Sequence, residues 1–425
     1  MISSPAPLFV TVGIAALWAL HAAETHLPGP TYLLLPLVVG SAAVFVLWRL
    51  ASARYRFVFG HKGGLNVALG CWFAGATLST ILNWQTPEVL VTYTSVFVVG
   101  AAIFVGLSGV VLSADELDVA VIGLAAGALV PLVAGLAAFV AEWGTPDLPT
   151  ALSAYRDVMR MALYEAATFG NRGNTAAFLV LLAPILLLTS IDPRKRGWLR
   201  AFCAVTLLLV ACNLAILQVR AAFVALTVAV VCVWTFRLGV RRVPWLVAVL
   251  ASAWFLFAAA DPDFGLRLQE QMLPVLTVDT DADASVDQRV QAIEEGWRIF
   301  ERNWAFGIGP GGALSKHPQD SAHQFQVQEA MEIGVLGLVG STLFSISVLV
   351  ALGRTMFRRR DPADEIRFAM LIGPASYVIY AILANVAMGF SSINVWTVLT
   401  ASMLALAPPF DARAGLVAPG EERRP

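Results

Sequence analysis

The sequence predicts an all-α, polytopic transmembrane helical bundle. Three observations point there: apolar residues far exceed charged ones, apolar runs recur at bilayer length, and most lysines and arginines fall in alternate connections. Of 425 residues, 58% are hydrophobic and 13% charged, against about 25% charged in an ordinary soluble domain. No soluble core absorbs that much apolar surface, so lipid must solvate most of the chain. The four cysteines, Cys71, Cys203, Cys212 and Cys232, lie inside apolar runs without zinc-ligand spacing. They read as small core hydrophobes, and neither a disulfide framework nor a metal is expected. Met1 to Pro7 lacks a basic region, so the first apolar run reads as a first span and not as a cleaved signal.

About twelve spans follow from the runs near 7–24, 31–48, 65–82, 89–112, 119–141, 174–190, 200–218, 221–236, 244–260, 333–353, 368–386 and 392–408. Each reaches across a hydrocarbon core of about 30 Å as a helix. In lipid every backbone polar group needs an internal partner, which leaves helices or a closed barrel. A barrel would alternate apolar and polar residues in segments of about ten, and these runs do not.

Orientation follows from the basic residues. With the N-terminus in the cytoplasm, one side collects Arg49, Arg54, Arg56 and Lys62, then Arg194, Lys195, Arg196 and Arg200. Arg237, Arg241 and Arg242 join them, as do Arg354, Arg358, Arg359, Arg360 and Arg367, and finally Arg413, Arg423 and Arg424. That accounts for 19 of the 28 basic residues. The reading places spans one to nine in 1–260, with a smaller periplasmic loop at 142–173. A large periplasmic loop at 261–332 follows, then three spans in 333–410 and a cytoplasmic tail at 411–425. Both termini are then cytoplasmic.

The other nine basic residues lie outside, against the usual bias: Arg156, Arg160, Arg172, Arg220, Arg267, Arg289, Arg298, Arg302 and Lys316. The first loop leaves through Phe169-Gly-Asn-Arg-Gly-Asn174, directly onto a span. There Asn174 or Asn171 can cap the helix, whose exposed N–H groups and dipole favour an anion beside Arg172. An ordinary loop-to-helix junction with a snorkelling arginine accounts for the same residues. Arg220 stands where two spans meet almost without a loop. An arginine at a membrane boundary is costly and is a functional candidate by default, snorkelling being the alternative.

In the large loop, Ser285-Val-Asp-Gln288 has the form of a capping box. The helix it opens carries Val290, Ile293, Trp297 and Phe300 at helical spacing and runs towards Trp304. Arg298 and Arg302 share a face, whereas Arg289 is about 180° from Arg298 and roughly 140° from Arg302. Glu294, Glu295 and Glu301 can pair with some of these arginines. Gly307-Ile-Gly-Pro-Gly-Gly312 ends the helix. His317 and His323 follow, and His323 stands just before a span, placed to act as a general base near neutral pH. Fixed positive charge plus one titratable base suits transfer from a lipid pyrophosphate. Arginines would hold the phosphate oxygens and histidine would take the acceptor's proton.

These residues resemble the O-antigen ligase and polymerase superfamily, membrane glycosyltransferases acting on undecaprenyl-pyrophosphate-linked glycans. The resemblance spreads over 170–340. It rests on Gly170-Asn-Arg-Gly-Asn174, Val219-Arg-Ala-Ala222, Asp287-Gln-Arg289, Trp304-Ala-Phe-Gly-Ile-Gly-Pro-Gly311, and His323 through Glu332-Ile-Gly-Val-Leu-Gly-Leu338. It implies a GT-C-like fold in a bacterial inner membrane and a metal-independent transferase facing the periplasm, with no cofactor. It assigns catalysis to His323, Arg289 and Arg220; donor pyrophosphate binding is expected of Arg220 and Arg289 together with Arg160, Arg172 and Asn174. The implied partners are the lipid-linked glycan donor, a lipid A–core acceptor and membrane lipids, without nucleic acid. The family often has Ser before the arginine and Asn after the histidine, where this chain has Val219 and Gln324. A ligase is preferred over a polymerase joining lipid-linked repeats. A transporter or lipid-linked sugar flippase is the alternative of another class; it would call for ionisable residues in mid-membrane and paired broken helices.

Overall fold

Uncharged runs of this length become helices wherever the chain is described. The computed structural model describes residues 64–86, 114–143, 172–217, 219–239, 284–312, 324–357 and 362–383, with short pieces at 89–90, 93–98, 100–101, 104, 241, 244, 403–404 and 407. They form α1 (Gly64–Leu82), α2 (Ala114–Trp143), α3 (Arg172–Ser190), α4 (Gly197–Leu217) and α5 (Arg220–Leu238). After these come α6 (Ala284–Arg302), α7 (Phe325–Ile333), α8 (Val335–Phe357) and α9 (Pro362–Leu383). Tyr93–Val98 is a short π-helical stretch, and there is no strand among the described residues.

Among the described residues, five stretches are long and apolar enough to cross a membrane: Gly64–Leu82, Gly197–Leu214, Ala221–Leu238, Val335–Phe357 and Asp364–Leu383. α2 and α3 carry shorter apolar runs, Leu117–Ala126 and Ala176–Ser190. The spans expected near 7–24 and 31–48 lie outside the described residues. So do nearly all of those near 244–260 and 392–408 and much of the one near 89–112.

Two packings organise the described helices. α8 lies along α1, and α9 lies against α3, α5 and α8. Small residues let α1 and α8 approach: a Cβ on Gly340 would stand 2.7 Å from the Trp72 backbone, and one on Gly75 would meet Leu336 at 2.7 Å. Such contacts replace the hydrophobic drive that lipid removes. α9 is the inner helix, with Phe368 stacked on Phe236 of α5 at 3.9 Å and Leu371, Ile372 and Val378 buried. α1, α4 and α8 instead turn Ile81, Leu208 and Ile346 outward, as lipid-facing helices do.

One end of the bundle is tied by charge. Asp192, buried in the α3–α4 turn, accepts from Arg194 Nε at 3.1 Å and from Arg237 Nη2 of α5 at 2.8 Å. Arg194 also reaches Glu365 of α9 at 2.7 Å, Lys195 pairs with Asp118 of α2, and Arg367 pairs with Asp364. Burial alone would raise the Asp192 carboxyl. The hydrogen bonds from Arg194 and the charge of Arg237 outweigh burial and hold it below its ordinary value. Arg367, placed by the sequence in a connection, is inside α9 and 3% exposed.

Candidate functional site

The opposite end is built on a clasp between two backbone segments. α6 is amphipathic: Ala292 and Ile299 are buried while Glu294, Trp297 and Arg298 are exposed. Arg298 pairs with Glu295 at 3.2 Å and with Glu294 at 4.0 Å, two of the pairings that helical spacing offered to the arginines of this helix. Beyond Arg302 the chain turns, and Ile308 joins Ile299 of α6 and Val327 and Met331 of α7 in one apolar cluster.

The turn then runs beside the end of α7. Ile308 N–H donates to the Met331 carbonyl at 3.1 Å, Gly309 N–H to the Glu332 carbonyl at 2.9 Å, and Val335 N–H to the Trp304 carbonyl at 2.8 Å. Glycine is required at both crossing points. Gly307 has φ 68°, and a Cβ on it would lie 2.3 Å from Glu332 C and O. Gly334 has φ 78°, with a Cβ 2.6 Å from Ala305 C and O. Only glycine adopts that conformation and that contact without strain.

Helix α7 was read from the sequence as loop. Apart from Gln326 all its residues are buried, and it folds back on α8 so that Gln326 Nε2 donates to Ser345 Oγ at 3.3 Å. Gln324 caps it, its side chain accepting from Val327 N–H at 2.7 Å. The departure from asparagine at 324 therefore keeps a capping group. Val219, by contrast, precedes α5 in extended conformation with no side-chain cap, so the serine absent there has no substitute.

Two carboxyls sit in this assembly. Glu332, 5% exposed, accepts at Oε2 from Gly311 N–H at 2.7 Å and at Oε1 from Gln328 Nε2 at 2.6 Å. Glu329, 2% exposed, accepts from the Trp72 indole of α1. Burial, then the charge of Glu332, push the Glu329 carboxyl up to about 8, against the opposing hydrogen bond from Trp72. α1 contributes further: Ser79 Oγ donates to the Glu332 carbonyl at 2.8 Å and Asn83 Nδ2 to the Gly307 carbonyl at 3.4 Å. Sequence reading gave α1 hydropathy alone and named the two glutamates only as reserve bases.

Arg172 and Arg220 are the first residues of α3 and α5. These helices are 19 residues each, pack together, and have their far ends joined through Asp192 and Arg237. Their first residues therefore stand about 27 Å from that ion-paired end, at the end where α8 begins. Asn174 lies inside the first turn of α3, which starts at Arg172, so it does not cap. Ser285 likewise lies within α6 (Ala284–Arg302). Arg289 is in the second turn of α6. For Arg172, Asn174, Arg220 and Arg289 the backbone alone is described, and Arg160, Asn171, His317 and His323 lie outside the described residues.

Residues 205–342 match the O-antigen ligase family. The match begins within α4 and ends in the second turn of α8, taking in Arg220, Arg289, His323 and the whole clasp. It leaves out Arg172, Asn174 and α1. No curated protein matches the chain. The matched segment thus contains the whole clasp, and α1, outside the match, bonds to it through Trp72, Ser79 and Asn83.

Proposed function

We propose that the protein is an O-antigen ligase of the bacterial inner membrane. It transfers a polysaccharide from undecaprenyl pyrophosphate to a lipid A–core sugar on the periplasmic face. The observation carrying this reading is the family match over 205–342, which encloses Arg220, Arg289 and His323. Arg220 and Arg289, with Arg160, Arg172 and Asn174, hold the donor pyrophosphate. Guanidinium groups suit that task because their planar fork meets two phosphate oxygens at once. The acceptor hydroxyl attacks the anomeric carbon, the bond from that carbon to the pyrophosphate oxygen breaks, and His323 takes the hydroxyl proton. Charge gathering on the departing pyrophosphate is met by the arginines, without a metal ion.

A lipopolysaccharide gel of a deletion strain tests the reading. Loss of all O-chains, with lipid-linked polymer accumulating, is expected. Caps of a single repeat would mean a polymerase instead, and unchanged lipopolysaccharide would overturn both.

A further inference from the structure

We infer that Glu332 is a positioning residue of the transfer site, its carboxylate fixing the glycine turn from which the His323-bearing segment departs. This inference rests on the transferase reading for its activity assay and on geometry alone for its structural one. A single buried residue accepts four hydrogen bonds from three directions. Its carbonyl takes Gly309 N–H at 2.9 Å and Ser79 Oγ at 2.8 Å, and its carboxylate takes Gly311 N–H at 2.7 Å and Gln328 Nε2 at 2.6 Å.

The carbonyl bonds would survive any side chain. The carboxylate bonds would not, and they reach the far side of the turn, at Gly311. The next residue is Gly312, and residues 313–323, ending in His323, run from there to Gln324. Gln324 is itself fixed as the cap of α7. The described residues that flank 313–323 in sequence are thus both tied to one nine-residue helix, Gly311 through Glu332 and Gln324 as its cap.

A carboxylate suits the near end because both of its partners are donors. An amide at 332 offers one acceptor oxygen and would turn an N–H towards either Gly311 or Gln328. A buried acid beside a second one, Glu329, is costly, so a neutral side chain would serve better if filling the space were the only task.

The test separates positioning from chemistry. Full-length Glu332→Gln, Gln328→Glu and the exchanged pair Glu332→Gln/Gln328→Glu are purified in detergent. Each is assayed for transfer from a lipid-linked donor across pH, and its amides in 305–312 are followed by hydrogen exchange. Glu332→Gln should lose roughly ten- to a hundredfold in kcat with little change in donor KM, the scale of a small misplacement. Its 308–312 amides should exchange faster. In the exchanged pair the amide oxygen at 332 can take the Gly311 N–H while the amide N–H donates to the carboxylate at 328, so it should recover both slow exchange and transfer with an unshifted pH profile.

Slow exchange restored without transfer would mean that the 332 carboxylate itself does chemistry, and would overturn the positioning role. Unaltered exchange and transfer in Glu332→Gln would overturn it as well. If Glu332→Gln does not fold, Gln328→Met removes one carboxylate partner only, and should show the same two changes in milder form; no change there counts against the proposal. A wild type without transfer activity would sink the ligase reading and leave the exchange result to stand or fall alone.

Discussion

Arg220 is the first residue of α5. If it grips pyrophosphate, Arg220→Lys should fail nearly as badly as Arg220→Ala, because a point charge cannot reproduce the fork. A drop of about two orders of magnitude in transfer by the purified variants is expected. Near-normal transfer by the lysine variant would reduce Arg220 to a snorkelling residue. For His323 the sign is set by its role. A general base acts in its neutral form, so the rate should rise with pH through an apparent pKa of roughly 6 to 7. His323→Ala should keep donor binding and lose transfer, while His317→Ala should tolerate the change. Normal transfer by His323→Ala, or a dead His317→Ala, would remove His323 from the mechanism. These residue types were legible because arginines outside a membrane defy the usual bias. The surroundings of the buried Glu329 and Glu332 were not legible, because they come from Trp72 and Ser79, 257 and 253 positions away, and from a glycine turn whose Gly311 stands 21 positions before Glu332.

At the scale of elements, hydropathy located α1, α4, α5, α8 and α9 within a few residues, since a span needs only length and lack of charge. α7 escaped for a physical reason. It is nine residues long and carries Gln326, Gln328, Glu329 and Glu332, with Gln324 as its cap, a composition that reads as exposed. Its burial is a product of packing against α1, α6 and α8. The cost of that burial is measurable. The Glu329 carboxyl titrates near 8 in the fold, against 4.5 ordinarily. An acid with a raised folded value favours the folded state in its neutral form, so stability is fullest below about pH 4.5 and declines as pH rises towards 8. The groups facing it are Glu332 on its own helix, Trp72 of α1 and Tyr377 of α9. Glu329→Gln should therefore flatten the fall in melting temperature between pH 5 and 8, measured in detergent. An unchanged slope would mean that the carboxyl ionises in the fold near its ordinary value, and would overturn the burial argument.

The whole molecule is polarised. Asp192, Arg194, Arg237 and Glu365, and beside them Lys195 with Asp118, form ion pairs at one end, and the glycine clasp stands at the other, where α3, α5 and α8 begin. The sequence foretold a division into sides from the excess of lysine and arginine in alternate connections. It did not foretell that Arg194 and Arg237 would share one buried aspartate, because pairing between distant turns leaves no periodic trace. The remaining question is which end faces out. The positive-inside bias places the ion-paired end in the cytoplasm and the clasp in the periplasm. Cysteines introduced at Ala284 or Ser315 should then react with a membrane-impermeant thiol reagent added to intact spheroplasts. Cysteines at Ser190 or Ala363 should react only after the membrane is opened. Cys71, Cys203, Cys212 and Cys232 are all free thiols, so each is first replaced by alanine or serine to give a silent background. Labelling of Ser190→Cys from outside, with Ala284→Cys protected, would invert the protein. The clasp and the arginines at 172 and 220 would then face the cytoplasm, where a periplasmic acceptor never arrives, and the ligase reading would fall with the orientation.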